Sequence, residues 1–186
     1  MSRFYRSVRS KLAANESGQA MVELAFLVIL LLMLVSASIE FGRALYTMQV
    51  MAQLSRQGSN LASRDDTLSN AVAAVIAGES GLNIAVNGEV IITEIENTGT
   101  TASPTYTMVG QASSGGISEA SHVGTYVSGG GNTATMPGGY ITGTLQANQY
   151  TWVTEIFYKF SAITPIGALT NHAVSMPSLL YDYTYF

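Results

Sequence analysis

The sequence predicts an α+β protein, in which a long N-terminal transmembrane helix extends into a helical stalk and packs against a small antiparallel β-sheet domain. Three observations predict this class. Residues 24–39 carry no charge. No proline occurs from Gln19 to Arg64, so a helix can continue beyond the apolar run. After Gly78 the chain becomes rich in glycine and in β-branched and aromatic residues.

The composition excludes several classes of protein. Of the 186 residues, 47% are hydrophobic and 11% are charged, whereas an average soluble domain has about 25% charged residues. A disordered, highly charged chain is therefore excluded. The chain has no cysteine, which excludes a disulfide scaffold, a thiolate nucleophile and a Cys-ligated metal. The length allows one domain, or a small domain with an additional segment.

The charged residues are distributed unevenly. Residues 1–18 contain four bases and one acid, whereas residues 65–186 contain nine acids and one base. The positive-inside rule then places the N-terminus in the cytoplasm and the acidic C-terminal part outside it. Nucleic-acid binding is not expected, because the only basic cluster is a short N-terminal arm.

The apolar segment has three interpretations. Leu24–Val35 is apolar without interruption, and an extension back to Ala20 gives about 20 residues, enough to cross the hydrocarbon core. It could be a cleaved signal peptide, with Val35–Ser38 as a small-residue exit. It could also be a buried helix of a soluble protein, or a retained membrane anchor. The anchor is favoured, because the run is apolar on every face and the helical pattern continues beyond Ile39.

The helical pattern beyond the apolar run predicts a stalk that ends near Arg64. Small residues in it, Gly42, Ala44 and Gly58, are either points of close helix packing or sites of bending. The helix is expected to break at residues 65–67, where Thr67 is a candidate N-cap. A short second helix, Leu68–Ala77, is then expected within residues 65–78, stopped by Gly78.

Residues 79–186 are predicted to form a β-rich domain. Strands are expected within Leu82–Glu96, Tyr106–Ala112, Tyr150–Ala162 and Leu179–Phe186, with long Gly/Ser loops at 113–139. The first of these alternates, which predicts one solvated face, and contains a candidate hairpin turn at Asn87–Gly88. The alternating tyrosines Tyr181, Tyr183 and Tyr185 fit ordinary sheet packing, or exposed aromatics for surface adhesion.

Catalytic and metal-binding patterns are missing from the sequence. His122 and His172 are far apart and are interpreted as surface residues. Glu94 and Glu96 share a strand face and could pair as catalytic carboxylates, but a solvated face is the favoured interpretation. No metalloprotease, nucleophile-elbow or calcium-loop motif occurs. We therefore expect no enzymatic activity, no cofactor and no bound metal.

A charged residue, Glu23, lies at the start of the apolar run, five positions after Gly18. It could simply be hydrated at the membrane interface. However, a basic leader, a glycine, an interval that ends in glutamate and a long apolar helix together resemble a type IV prepilin. More closely, residues 16–26 (ESGQAMVELAF) and 39–43 (IEFGR) resemble the TadE-like pseudopilins of tight-adherence (Tad/Flp) pilus systems.

The resemblance covers about residues 15–64, because residues 54–64 (LSRQGSNLASR) also resemble a helical segment of that family. The chain departs from the family pattern at three places. Leu24 stands where an aromatic is usual, the apolar run lacks a proline, and Ser59–Asn60 replaces Ala-Arg. These departures leave the processing motif intact and the subfamily open.

The resemblance implies a pilin-like fold and a role as a minor pilin or pseudopilin in the initiation or tip of an adhesive Tad pilus. It implies that a membrane aspartic prepilin peptidase removes leader 1–18 between Gly18 and Gln19, leaving an assembly helix at 19–64. It further implies that Glu23 pairs with the new α-amine of Gln19 in a neighbouring subunit.

The implied partners are membrane lipid, the peptidase, other pilin and pseudopilin subunits, and the assembly platform of the pilus in the inner membrane. The implied location is the bacterial inner membrane, as a single-pass protein with an extracytoplasmic C-terminal domain, or the extracellular pilus after assembly. The alternative is a membrane-anchored extracytoplasmic binding protein with an uncleaved anchor and no polymer.

Overall fold

The computed structural model describes residues 2–64, 67–79, 81–130, 132–137, 145–163 and 178–186, and side chains from Gly18 onward. Its helices are α1 (Ser2–Ala62), α2 (Leu68–Ala77) and α3 (Ile84–Asn87); its strands are β1 (Gly88–Asn97), β2 (Tyr106–Gly115), β3 (Tyr150–Lys159) and β4 (Leu179–Tyr185). The predicted α+β class, with a long apolar N-terminal helix followed by a small antiparallel sheet, is confirmed.

The chain divides into two units. The first contains Met1–Arg43 and Ala162–Met176, and the second contains Ala44–Ser161 and Pro177–Phe186. α1 is helical because residues 2–62 contain no proline and are mostly good helix formers. From Gly18 onward α1 is long and apolar enough to cross a membrane, and the most apolar part of it buries none of its residues within the chain.

The second unit is built on a four-stranded antiparallel sheet in the order β2-β1-β3-β4. The end of α1 and the whole of α2 cover one face of the sheet. There, Ser59 of α1 contacts Thr154 of β3, and a Cβ added at Gly58 would meet Thr154 and Val75 of α2. The predicted packing of a helix on a small sheet is thus observed within this unit.

The opposite face of the sheet is covered by an irregular segment, described at residues 117–130 and 132–137, which we call the strap. A buried apolar cluster joins two residues of the strap to three of the sheet: Ile95, Met108, Val123, Ala134 and Val153. The expectation of a solvated face on β1 is therefore wrong, because the strap covers the face that the helices do not. Nearly every residue of β1 is buried.

The predicted hairpin turn at Asn87–Gly88 is also wrong. Asn87 ends α3, and Gly88 begins β1 opposite Tyr158 of β3. A Cβ at Gly88 would lie 2.8 Å from the carbonyl oxygen of Phe157, so glycine permits the close approach of the two strands. The local turn signal is overridden by pairing with a strand distant in sequence.

The short second helix follows its sequence signals closely. α2 begins after Thr67, whose hydroxyl accepts a hydrogen bond from the main-chain nitrogen of Asn70 at 3.3 Å, and it ends at Gly78. Its apolar side, with Ala71, Val72 and Val75, is buried. Capping and amphipathic spacing were sufficient here because both are local signals.

Candidate functional site

The candidate processing site lies on an exposed stretch of α1. The helix continues through Gly18 without a break, and a Cβ added at Gly18 would meet nothing within 4 Å. Gly18 and Gln19 are both exposed. The bond between them is therefore accessible from outside the chain, and glycine lowers the cost of unwinding the helix locally into an extended form.

Glu23 is exposed and lies one helical turn beyond Gln19. The side-chain amide of Gln19 donates to its carboxylate, with 3.0 Å between Nε2 and Oε1. The surrounding surface is apolar: the exposed large hydrophobic residues of this stretch run from Met21 to Val35. Glu23 is thus a carboxylate at one end of an otherwise apolar helix surface that the chain leaves exposed.

The far end of the apolar run carries a second carboxylate with a different environment. Glu40 is only 3% exposed. One carboxylate oxygen lies 2.9 Å from the Arg43 guanidinium, and the other accepts from the main-chain nitrogen of Ile163 at 3.2 Å. A Cβ added at the adjacent Gly42 would meet nothing within 4 Å, so Gly42 is an open position on this helix.

In the second unit, small residues of α1 make the contact with the sheet. Ser55 donates to the carboxylate of Asp182 and lies 2.9 Å from the hydroxyl of Thr184. Ser59 donates to the carbonyl oxygen of Thr184 at 2.8 Å. At Gly58, an added Cβ would lie 2.8 and 2.9 Å from the two γ atoms of Thr154. Close packing at Gly58 is thus made within the chain, while Ala44 is half-buried.

Sequence reasoning did not identify these two serines. A usable signal was present: Ser55 and Ser59 are four residues apart on a helix, and Asp182 and Thr184 are two apart on a strand. Each pair therefore lies on one face of its element. Nothing in the sequence, however, indicates that the two faces meet.

The strap is held to the sheet by a buried carboxylate. Glu155, in the middle of β3, is completely buried. It accepts hydrogen bonds from the hydroxyl of Ser121, from the main-chain nitrogen of His122 at 2.9 Å and from the hydroxyl of Tyr181 at 2.9 Å. Burial, followed by the negative charge of Glu155, raises the pKa of Tyr181 far above its usual range. The hydroxyl of Tyr181 therefore stays protonated and remains a donor.

Aromatic rings pack beside Glu155, between the strap and the sheet. The ring of His122 lies 4.2 Å from that of Tyr181 and 5.5 Å from that of Phe157. Successive tyrosine rings on β4 also contact one another. The ring centroids are 5.6 Å apart for Tyr181 and Tyr183, and 5.7 Å apart for Tyr183 and Tyr185. His122 is exposed, as expected, and the alternating tyrosines pack on one another as sheet residues do. His172 lies outside the described residues.

The remaining candidate carboxylates are Glu94 and Glu96. Burial, and to a lesser extent the neighbouring Glu96, raise the pKa of Glu94 above its ordinary value. Both side chains are only half-buried.

Among the described residues there is no group of three or more His, Asp or Glu side chains that could hold a metal ion. The described residues thus comprise a helix that is long and apolar enough to be a single-pass membrane anchor, and a folded sheet domain.

Comparison with known proteins agrees with this arrangement. The family model for TadE-like proteins matches residues 18–60. This range begins at the candidate cleavage site and includes both Glu23 and Glu40. Searches of curated proteins and of solved structures returned no match. The predicted resemblance is confirmed over this segment: residues 18–60 of the chain are similar to TadE-like proteins.

Proposed function

We propose that the protein is a minor pilin or pseudopilin that acts in the initiation or tip of a Tad-type adhesive pilus. The observation that carries the proposal is that the TadE-like segment coincides with an apolar helix surface that the chain itself leaves uncovered. An uncovered helix of this kind requires lipid or other helices around it. A subunit that passes from the membrane into a fibre would use the same surface in both places.

In this proposal a prepilin peptidase in the bacterial inner membrane cleaves between Gly18 and Gln19. The basic leader stays in the cytoplasm, and the sheet domain faces outward. The exposed position of Gly18 on the helix supports access by a membrane peptidase. The new α-amine of Gln19 then pairs with Glu23 of a neighbouring subunit, which sets the register between helices.

The first experiment determines the N-terminus of the protein by mass spectrometry after purification from a membrane with an active prepilin peptidase. We expect the chain to begin at Gln19. Gly18→Ala is the matched variant: the space around Gly18 accepts a methyl group, so lost processing would report recognition by the peptidase rather than misfolding. A chain that retains residues 1–18 beside an active peptidase would contradict the proposal.

The second experiment separates a pilus subunit from a membrane-anchored binding protein with no polymer. Fibres are sheared from the cells, and both the sheared fraction and the membranes are probed for the C-terminal domain. We expect the protein in both fractions, together with other pilin and pseudopilin subunits and the assembly platform in the membrane fraction. Detection in the membranes alone, with the leader retained, would favour the binding protein.

A further inference from the structure

At the end of the apolar run on α1, the helix contacts an apolar residue from a distant part of the sequence, Ile163. Within the first unit, the main-chain N–H of Ile163 donates to the carboxylate of Glu40 at 3.2 Å. Glu40 is 3% exposed, whereas the side chain of Ile163 is 68% exposed. An apolar side chain is thus fixed beside the helix by its backbone and left uncovered by the chain.

The sequence shows where along α1 this contact lies relative to the apolar run. Glu40 directly follows the uncharged residues 24–39. Since a helix rises about 1.5 Å per residue, Glu40 lies within one residue's rise of the end of that run. Ile39 and Phe41, on either side of Glu40, are 51% and 58% exposed. Three uncovered apolar side chains therefore lie at the end of the uncharged run, which is where a membrane-spanning helix would leave the hydrocarbon core.

The charges near this level are compensated or absent. Glu40 is paired with Arg43 at 2.9 Å and also accepts the N–H of Ile163, which reduces the cost of placing a carboxylate near lipid. No Asp, Glu, Lys or Arg occurs in the sequence between Lys159 and Asp182. Charged residues are the ones most strongly excluded from lipid, so this part of the sequence is compatible with a lipid surface.

We propose that Ile163, together with Ile39 and Phe41, inserts into the lipid interface of the membrane, so that Ile163 makes a second membrane contact beside the anchor. The proposal rests on the membrane anchor of the proposed function. Lipid is favoured over a protein partner because Glu40 fixes Ile163 at the end of the apolar run.

The lack of cysteine in the chain allows a direct test with single labels. Ile163→Cys is labelled with a polarity-sensitive fluorophore, and the full chain is reconstituted into vesicles of phosphatidylethanolamine and phosphatidylglycerol. The vesicles contain lipids with a nitroxide quencher either near the headgroup or near the end of the acyl chain. Leu30→Cys, 63% exposed within the apolar run, and Val127→Cys, 60% exposed on the strap, are the matched controls.

We expect the label at position 163 to be quenched more by the nitroxide near the headgroup than by the one near the chain end. The label at position 30 should show the reverse order. The label at position 127 should be quenched only by aqueous iodide. Aqueous quenching alone at position 163, with lipid quenching at position 30, would overturn the lipid contact and leave the anchor intact.

Two other outcomes are equally clear. A label at position 163 that is shielded from both iodide and nitroxide would indicate a protein partner, and it would overturn the proposal. An absence of lipid quenching at position 30 would overturn the anchor itself, and with it the proposed function. The two failures are therefore distinguishable in one set of samples.

The role of Glu40 is tested in the same labelled chain. Glu40→Ala removes the acceptor for the N–H of Ile163, so lipid quenching at position 163 should be lost. Glu40→Gln keeps an oxygen that can accept this hydrogen bond, so quenching should be retained. Circular dichroism checks that both variants fold. Unchanged quenching in folded Glu40→Ala would show that Glu40 does not position Ile163.

Discussion

The side-chain amide of Gln19 donates a hydrogen bond to the carboxylate of Glu23 across one turn of α1, with 3.0 Å between the two atoms. Both residues are exposed. This pair lies immediately after the proposed cleavage site. If residues 1–18 are removed, Gln19 gains an α-ammonium group, and Glu23 becomes a partner for a positive charge rather than for an amide.

The first prediction concerns Glu23→Ala and Glu23→Gln. Both variants should fold and be cleaved, because Glu23 is exposed, but neither should enter sheared fibres efficiently. Removing one partner of a buried charge pair costs about 3–5 kcal/mol, which is more than about a hundredfold in an association constant. Immunoblots of sheared fibres and membranes measure the distribution. Normal incorporation of Glu23→Gln would rule out charge pairing, since glutamine keeps the size but not the charge.

The second prediction compares two glycines of α1. Gly58→Ala should destabilise the second unit by about 1–2 kcal/mol, because the new methyl group meets the side chain of Thr154 and overpacking outweighs the gain in helix propensity. Gly42→Ala has open space around it and should be neutral or stabilising by up to about 1 kcal/mol.

These two variants are compared by chemical denaturation of the full chain in detergent micelles, followed by the fluorescence of Trp152, the only tryptophan. Thr154→Ser removes the γ-methyl group that the new Cβ at position 58 would meet. In the Gly58→Ala background it should recover part of the loss. Equal stability of the two alanine variants would contradict the packing argument at Gly58.

The third prediction concerns the hydrogen bond from Ser55 to Asp182. Ser55→Ala should cost about 1–3 kcal/mol, because a half-buried carboxylate loses a donor. A double-mutant cycle with Asp182→Asn should give a coupling energy of about 0.5–2 kcal/mol. Ser63→Ala, which removes only a local bond to Asn60, should stay within about 0.5 kcal/mol of the parent. A coupling energy of zero would show that the contact does not hold α1 to β4.

The sequence predicted those features that depend on neighbouring residues. The uncharged run before Glu40 identified the apolar helix, and Thr67 and Gly78 located the ends of α2. The strands were found from their β-branched and aromatic residues, but their bounds differ: α3 (Ile84–Asn87) occupies the predicted start of the first strand, β2 continues to Gly115, and β3 ends at Lys159. Each of these signals acts within a few residues, which is the range that a single sequence encodes directly.

Features that depend on distant residues could not be predicted. The strap carries Gly and Ser and resembles a solvated loop, yet Val123 in it is fully buried. Its position depends on Glu155, which is 34 residues from Ser121. Likewise, Ile163 meets Glu40 across 123 residues. No periodicity in the sequence reports such pairings, because each joins residues that are far apart along the chain.

The last prediction concerns alkaline pH and Tyr181. Burial and the nearby Glu155 raise the pKa of this tyrosine in the folded chain, whereas in the unfolded chain it titrates near its usual value of about 10. The folded state therefore holds its proton at pH values where the unfolded state has lost it. The stability that this group contributes is fully present below about pH 10 and is lost as the pH rises above that value.

Above about pH 10, the free energy of unfolding should fall by less than the limit of about 1.4 kcal/mol per pH unit for one proton, because the ring of Tyr181 is partly exposed to solvent. Tyr181→Phe should lower the stability at neutral pH by about 1–3 kcal/mol, since Glu155 loses a donor. It should also make the decline above about pH 10 shallower. Tyr150→Phe, at an exposed position, is the matched control and should leave both unchanged. Denaturant titrations of Trp152 fluorescence across this pH range give the slopes, and equal slopes for the parent and Tyr181→Phe would contradict the assignment to Tyr181.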